Sequence, residues 1–164
     1  MSSQPSHAAS YRLAVIMQCT ALANRWVERQ WEAKGVVVDP SPEGAPPKRI
    51  VQTAALVQVL FPGREVRLQR HEAEGYYLNI TSRQPKVFVL WRMREELAWP
   101  QLLSVSYNEG ARWADSGETV DGVPLPAELL PWVAQFVEEH YEPEPPKARR
   151  YASNKDRGRM GHVE

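Results

Sequence analysis

The sequence contains a single cysteine, Cys19, and so lacks any second thiol with which to pair it. An internal disulfide is therefore excluded, as is every zinc or iron–sulfur site that needs paired thiolates from this chain. Cys19 follows an apolar run at residues 13–17, in a segment that we expect to be a strand. A free cysteine in such a place usually acts as a small hydrophobic side chain. The alternative, a reactive thiol, needs a neighbour that stabilises the thiolate.

The chain also lacks an excess of charge, because 20 Lys and Arg residues match 20 Asp and Glu residues. Binding to nucleic acid or to an acidic membrane through net charge is thereby excluded. The glycine-rich phosphate loops are absent, as are the H-E-x-x-H and C-x-x-C metal motifs. We therefore predict that the protein is not an enzyme and uses no metal or other cofactor.

Long hydrophobic runs are missing as well. The apolar stretch at residues 87–91 is among the longest, and it is far shorter than the roughly 18 residues that span a bilayer. Residues 1–10 are polar without the basic cluster of a secretory signal. These features predict a cytoplasmic protein with no membrane partner.

What the sequence does contain is alternation of apolar and polar residues with a period of two. Residues 11–17 and 25–33 show it, and we expect them to pair as a hairpin. Residues 66–69 and 76–80 show it on either side of the turn-like sequence at 71–75, which predicts a second hairpin.

Two further strands follow. Residues 87–91 are apolar on both faces, as expected of a strand in the middle of a sheet. Residues 102–107 are predicted to form another strand after a break at Trp99 and Pro100.

Prolines and glycines divide the remaining chain. Residues 39–49 hold four prolines and a glycine, which predicts a surface loop. Residues 50–61 fit a short helix about as well as a strand, and Pro62 with Gly63 is expected to end either one.

Two helices are predicted near the end of the chain. Ser106 stands three residues before Glu109 in the spacing of a capping box, and Gly117 suits a left-handed stop, so a helix is expected at about residues 108–116. Apolar residues recur at helical spacing over residues 126–141.

These elements predict a mainly β protein with α elements, of the α+β class. We expect six or seven mainly antiparallel strands in a single curved sheet or small barrel, capped by the C-terminal amphipathic helix. The 164 residues suit one domain, at residues 11–142. Residues 1–10 and the proline-rich, then basic, residues 143–164 are expected to be disordered.

Two features are candidates for binding a protein partner. Trp26 interrupts the alternation of its strand and Trp99 lies in the proline-bounded break, so both are candidate exposed anchors, with burial in the core as the alternative. The basic tail is a candidate arm for an acidic partner, or else a solvated end. Its cations are Lys147, Arg149, Arg150, Lys155, Arg157 and Arg159.

A small-molecule site is a competing possibility. If Tyr76 faces the core, then Tyr77, Asn79 and Arg92 form an outward set that could line a pocket at the barrel mouth. His71 with Glu72 and Glu74 could be drawn as a metal site, but a charged, solvated turn is the favoured interpretation of these residues.

Four segments resemble a known family: LANRW at residues 22–26, EGYYLNITSRQPKVFV at 74–89, SYNEGARWADSGETVDGVPLP at 106–126 and PWVAQFVEEHY at 131–141. They are similar to a bacterial family of unknown function, commonly encoded beside molybdenum-dependent formate dehydrogenase genes and their accessory factors. The resemblance covers roughly residues 11–150 and carries no catalytic residues. It implies a non-catalytic accessory or adaptor protein in the maturation or assembly of that enzyme, with a dehydrogenase subunit or a maturation factor as its partner.

Overall fold

The computed structural model describes residues 10–21 and 29–143. Trp26 and the six cations of the candidate basic arm lie outside these residues. So do residues 1–9 and 144–164, which make up nearly all of the two ends predicted to be disordered.

The described strands form two antiparallel sheets, so the fold is mainly β with three α-helices. The larger sheet has the order β2-β1-β4-β3 and the smaller one β6-β5-β7. The prediction of a single curved sheet or small barrel is not confirmed, because no ladder joins the two sheets within residues 10–21 and 29–143. The strands are β1 Ser10–Ala21, β2 Arg29–Val38, β3 Lys48–Gln52, β4 Leu56–Arg67, β5 Lys86–Arg94, β6 Leu97–Ser104 and β7 Thr119–Pro124; the helices are α1 Ala73–Ile80, α2 Tyr107–Asp115 and α3 Leu130–His140.

The predicted antiparallel pairing of the first two strands is confirmed for β1 and β2, whereas residues 25–28 of the predicted second strand lie outside the described residues. One face of β1 enters the core with Leu13, Val15 and Met17, each fully buried. The open choice at residues 50–61 is decided in favour of strands, namely part of β3 and the first half of β4. Thr53 makes the turn between them, since its Oγ1 accepts a hydrogen bond of 3.0 Å from the backbone N–H of Leu56.

β4 continues through Pro62 and Gly63, which were predicted to end it. The ladder to β1 pairs Phe61 with Val15 and Arg64 with Leu13, so two residues of β4 face one residue of β1 in a β-bulge. Pro62 lies in this bulge and beyond the part of β4 that pairs with β3, so its missing N–H breaks no ladder bond. Gly63 takes the positive φ of 74° that the bulge requires.

The predicted second hairpin was wrong, because residues 73–80 form helix α1. The buried residues Ala73, Tyr76 and Asn79 recur every third position, as on one face of a helix, whereas Leu78 is 41 % exposed. The alternation of Tyr76, Leu78 and Ile80 therefore imitated a strand within a short helix.

The smaller sheet also differs from the prediction. β5 is its central strand, as residues 87–91 indicated. β6 starts at Leu97 and includes Trp99 and Pro100, which were predicted to be a break. An edge strand tolerates a proline here because the β5 and β6 register shifts between Leu90 and Trp91, next to Pro100. β7 was not predicted, since glycine and proline weaken its pattern.

The two later helices are confirmed. The Ser106 side chain caps α2 by accepting a hydrogen bond of 3.0 Å from Glu109 N–H, and Gly117 follows with a φ of 92°. α3 packs against α1, and it buries Val133 completely in the core that both sheets share. Within the described residues, no helix is long and apolar enough to cross a membrane.

Candidate functional site

Strands of the two sheets contact each other without forming a ladder among the described residues, most extensively at two places. β2 lies against β7, and β4 lies against β6. We call these contacts the β2–β7 seam and the β4–β6 seam. The backbone groups that face a seam have no neighbouring strand, so side chains decide how their polar groups are satisfied.

The β2–β7 seam is joined by one carboxylate. Asp121 of β7 accepts two hydrogen bonds on the same oxygen, at 2.8 Å from the backbone N–H of Ala33 in β2 and at 2.9 Å from Trp91 Nε1 in β5. A carboxylate that accepts N–H donors makes stronger hydrogen bonds than a neutral acceptor does. Asp121 thus links β7 to β2 and to β5 at a seam where no ladder does so among the described strands.

The β4–β6 seam is held by rings and cations. Phe61 of β4 and Trp99 of β6 pack edge to face with their centroids 5.0 Å apart. The Arg64 guanidinium lies 5.7 Å from the Phe61 centroid, and that of Arg94 lies 4.5 Å from the Trp99 ring. We call these four residues the arginine–aromatic cluster.

The arginine–aromatic cluster is rich in donors and poor in acceptors. Arg64 Nε and Trp99 Nε1 are both enclosed, and neither donates to any residue that the structure describes. Neither arginine forms an ion pair within residues 10–21 and 29–143. Burial, and after it the charge on Arg94, lower the pKa of Arg64 below its ordinary value. The positive charge at this seam is therefore uncompensated.

A cleft of about 230 Å³ opens beside Arg64 in the β4–β6 seam. Two acids line it, but both are engaged elsewhere: Glu65 pairs with Arg67 at 3.1 Å, and Glu109 accepts from Ser104 Oγ at 2.6 Å. The cleft is also lined by the exposed Leu102 and by the half-buried Trp113.

A larger, mainly apolar hollow of about 400 Å³ lies between α2 and the outer face of the smaller sheet. We call it the α2 groove. Small residues of α2 and β7 lie along it, and Tyr107, 55 % exposed, stands at its edge against Phe88. Its lining comprises Asn79, Ser82, Gln84, Lys86, Phe88, Tyr107, Gly110, Ala111, Ala114, Val120 and Gly122.

A buried carboxylate, Glu72, ties α1 to α2. It is 3 % exposed, accepts a hydrogen bond of 2.6 Å from Ser106 Oγ, and forms an ion pair with Arg112. Ser106 is also the cap of α2, so this network fixes the start of both helices. The nearby His71 Nε2 lies 3.8 Å from the same carboxylate. These contacts give Glu72 a structural role.

The predicted pocket of Tyr77, Asn79 and Arg92 does not exist as a set, because it assumed a strand where α1 lies. Tyr77 stacks on Tyr141 on the outside of α1. Asn79 is 2 % exposed, and its amide bonds the backbone of Lys86 and Val105 at 2.8–2.9 Å. Arg92 pairs with Glu118 at 2.7 Å on the exposed surface of β5. Of these three residues, Asn79 lines the α2 groove.

The other predicted site residues are also placed. Trp99 is half-buried in the β4–β6 seam and not the exposed anchor that was expected. Cys19 is buried and free, and Arg29 Nη1 lies 4.0 Å from its sulfur. His71, Glu72 and Glu74 do not gather as metal ligands, nor does any other group of three in the described part of the chain.

Sequence reasoning missed both seams. Arg64 and Arg94 lie on different strands, and so do Asp121 and Ala33. No short-range spacing could have linked these residues.

Comparison with known proteins gives a family and no relative of known activity. No curated protein and no solved structure matches the chain. Residues 12–150 match the family described as "Protein of unknown function (DUF3305)", and this range includes both seams and the α2 groove. Since the match covers most of the sequence, the chain belongs to the DUF3305 family.

Proposed function

We propose that this protein is a non-catalytic adaptor that binds a partner protein through the α2 groove. The observation that carries the proposal is the groove itself, an open apolar hollow of about 400 Å³ with an exposed aromatic ring at its edge. Exposed apolar surface of this kind marks binding sites, and tyrosine is enriched in protein interfaces.

The shape of the groove is built in by two glycines. A Cβ on Gly110 would lie 2.8 Å from Phe88 Cγ, and one on Gly122 would lie 2.7 Å from Lys86 Cδ. Both distances are too short for real atoms: Gly110 is needed for α2 to lie this close to the Phe88 ring, and a side chain at Gly122 would displace the flexible Lys86 side chain. A preformed hollow favours binding, because less conformational entropy is lost when the partner arrives.

The buried polar groups support an adaptor over an enzyme. Glu72, Asn79 and Asp121 have the burial or the convergent donors that a catalytic group would need. Each one is, however, engaged by bonds that hold helices or strands together.

The choice of partner comes from the sequence resemblance described above. We propose that the partner is a subunit or maturation factor of a molybdenum-dependent formate dehydrogenase, and that the protein acts in the cytoplasm. An apolar segment of that partner would occupy the α2 groove, with Tyr107 packing on its edge.

A pair of tryptophan substitutions on α2 tests the proposal. Ala114 is exposed and lines the groove, so Ala114→Trp fills it without disturbing the core. Asp115→Trp adds the same ring on the next residue of the helix, outside the groove lining, and is the matched control. Binding of purified dehydrogenase subunits and maturation factors is measured by calorimetry.

We expect Ala114→Trp to weaken binding at least about tenfold, as loss of an interface hot spot does, and Asp115→Trp to leave it unchanged. Equal affinities for both variants would overturn the groove as the docking site. No binding of any of these components by the unaltered protein would overturn the choice of partner.

A small-molecule binder is the second candidate, favoured by one observation. The volume of the α2 groove falls within the range of about 300–1,000 Å³ that is typical of ligand pockets. A metabolite that raises the melting temperature of the unaltered protein but not of Ala114→Trp would support this function in place of the adaptor.

A further inference from the structure

We propose that the arginine–aromatic cluster of Phe61, Arg64, Arg94 and Trp99 binds a carboxylate side chain on an acidic segment of the partner protein. This inference rests on the proposed function, because it needs a protein partner. It adds the chemistry of that partner and a second contact, away from the α2 groove.

The first argument is the imbalance of charge in the cluster. Two guanidiniums lie on the rings of one packed aromatic pair, at 5.7 Å and 4.5 Å from the ring centroids. The structure gives neither of them an acidic partner among the residues it describes. Burial, and after it the charge of Arg94, lower the pKa of Arg64 and so disfavour its charged form. A bound anion would relieve this repulsion.

The second argument is that two enclosed polar atoms at the cluster, one on a guanidinium and one on an indole, are also donors. Arg64 Nε and Trp99 Nε1 are enclosed and have no acceptor in the described chain. An unpaired buried N–H raises the free energy of the fold, and its dipole adds to the positive potential. Arg94 is exposed and Arg64 is half-buried, whereas Arg64 Nε and Trp99 Nε1 are enclosed.

The described acids nearby form no ion pair with Arg64 or Arg94. Glu65 pairs with Arg67, and Glu109 keeps its charge while it accepts a hydrogen bond from Ser104 Oγ. Glu95 and Glu96, which follow Arg94, form no ion pair with it. The contrast is Arg92, two residues earlier on β5, which is paired with Glu118 at 2.7 Å.

The surroundings favour a carboxylate on a peptide over a free ligand or a phosphate. The adjacent cleft of about 230 Å³ is smaller than typical small-molecule pockets, which start near 300 Å³. Leu102, 51 % exposed, and Trp113 line it with apolar surface that a peptide would cover. The planar guanidinium binds carboxylate and phosphate alike in two parallel hydrogen bonds, so it does not discriminate between them. The nearby N-terminus of α2, which could serve a phosphate, is already capped by Ser106.

The test follows the two side-chain N–H groups directly. The isotope-labelled full chain is titrated with a hexaglutamate peptide while the Trp99 Nε1–H and Arg64 Nε–H resonances are recorded by NMR. Parallel titrations use succinate and inorganic phosphate at the same charge concentration. The variants are Arg94→Gln, which alters an exposed side chain of the cluster, and Arg92→Gln, its matched control outside the cluster.

We expect the peptide to shift both resonances, more weakly at high salt, and Arg94→Gln to raise its Kd about tenfold, since a charged hydrogen bond is lost. Arg92→Gln should leave the Kd unchanged. The proposal is overturned if the peptide moves neither resonance, if Arg92→Gln weakens binding as much as Arg94→Gln does, or if succinate or phosphate binds as tightly as the peptide.

The same variants separate this inference from the proposed function. Ala114→Trp should block the partner and leave hexaglutamate binding intact, because the α2 groove and the cleft share no lining residue. If hexaglutamate does not bind but Ala114→Trp weakens partner binding, the carboxylate site is contradicted and the proposed function stands. If hexaglutamate binds but Ala114→Trp leaves the partner's affinity unchanged, the α2 groove is contradicted as the docking site and the carboxylate site stands.

Discussion

The two seams between the sheets differ in whether their polar groups have hydrogen-bond partners among the described residues. At the β2–β7 seam, Asp121 accepts from both the Ala33 backbone and the Trp91 indole, so the donors facing it are satisfied. At the β4–β6 seam, the Trp99 indole and Arg64 Nε have no acceptor in the described structure, and the charge of two arginines is uncompensated. One seam is complete within the chain, whereas the other has the donors but lacks the acceptor.

This difference indicates which of the two seams is the better candidate for binding a ligand. A seam that satisfies its own polar groups contributes stability and offers nothing to a ligand. A seam with unsatisfied donors gives up stability, and at the β4–β6 seam the exposed Arg94 is the side chain that an external anion would meet in the proposed site. Sites of this kind commonly cost the folded state some stability for the sake of function.

The largest expected effect tests the satisfied seam. Asp121→Ala removes the acceptor of two donors at once, so we expect the free energy of unfolding to fall by about 3 kcal/mol. Asp121→Asn keeps an oxygen acceptor and should lose about half as much. Urea unfolding followed by circular dichroism measures both. A loss below about 1 kcal/mol for Asp121→Ala would show that this seam does not depend on the carboxylate.

A matched pair of tryptophans compares the seams directly. Trp91→Phe loses the hydrogen bond to Asp121, whereas Trp99→Phe removes an N–H that has no described acceptor. The two substitutions remove the same atoms, so their difference isolates the hydrogen bond. We expect Trp91→Phe to be more destabilising by about 1.5 kcal/mol in the same unfolding experiment. Equal losses would contradict the difference between the seams.

The turn that positions β6 at its seam is strained. Glu95 and Glu96 join β5 to β6 with φ of 52° and 70°, the left-handed region that two-residue hairpins normally fill with Asn-Gly. We expect the double substitution Glu95→Asn with Glu96→Gly to raise the unfolding free energy by about 1 kcal/mol. The melting temperature reports it. A decrease would mean that these carboxylates contribute contacts that outweigh the backbone strain.

The smallest expected effect is a change in the unfolding free energy that has opposite signs for two arginine substitutions. Arg64→Met removes a half-buried charge without an ionic partner and should raise the unfolding free energy by about 0.5 kcal/mol. Arg92→Met breaks the exposed pair with Glu118 and should lower it slightly. Both are measured by urea unfolding at low salt. If Arg64→Met lowered the unfolding free energy more than Arg92→Met does, the charge argument for the β4–β6 seam would be contradicted.

Local patterns predicted the elements that their own residues decide. Ser106 and Glu109 are three positions apart, so the cap of α2 could be seen in the sequence. The buried strand β5 was visible because both of its faces are apolar. The pattern misled at α1, where Tyr76 and Leu78 alternate like a strand although only Tyr76 enters the core.

The prolines show why boundaries were harder than elements. Pro62 and Pro100 were expected to interrupt strands, and each lies inside one at a bulge. Whether a missing N–H breaks a ladder depends on the neighbouring strand, which the sequence does not reveal. The candidate pocket of Tyr77, Asn79 and Arg92 was wrong for a related reason, since it followed from the strand predicted in place of α1.

The sequence by itself determined the α+β class, the hairpin of β1 and β2, and helices α2 and α3, because hydrophobic period and capping act over a few residues. Tertiary structure alone decided which strand edges meet. Asp121 reaches a backbone N–H 88 residues away, and Arg64 comes near Arg94, only after the two sheets have packed together. Packing of the sheets placed Asp121 beside two donors and left Arg64 and Arg94 without an ion-pair partner among the described residues. These long-range contacts produced both the stabilising seam and the candidate site.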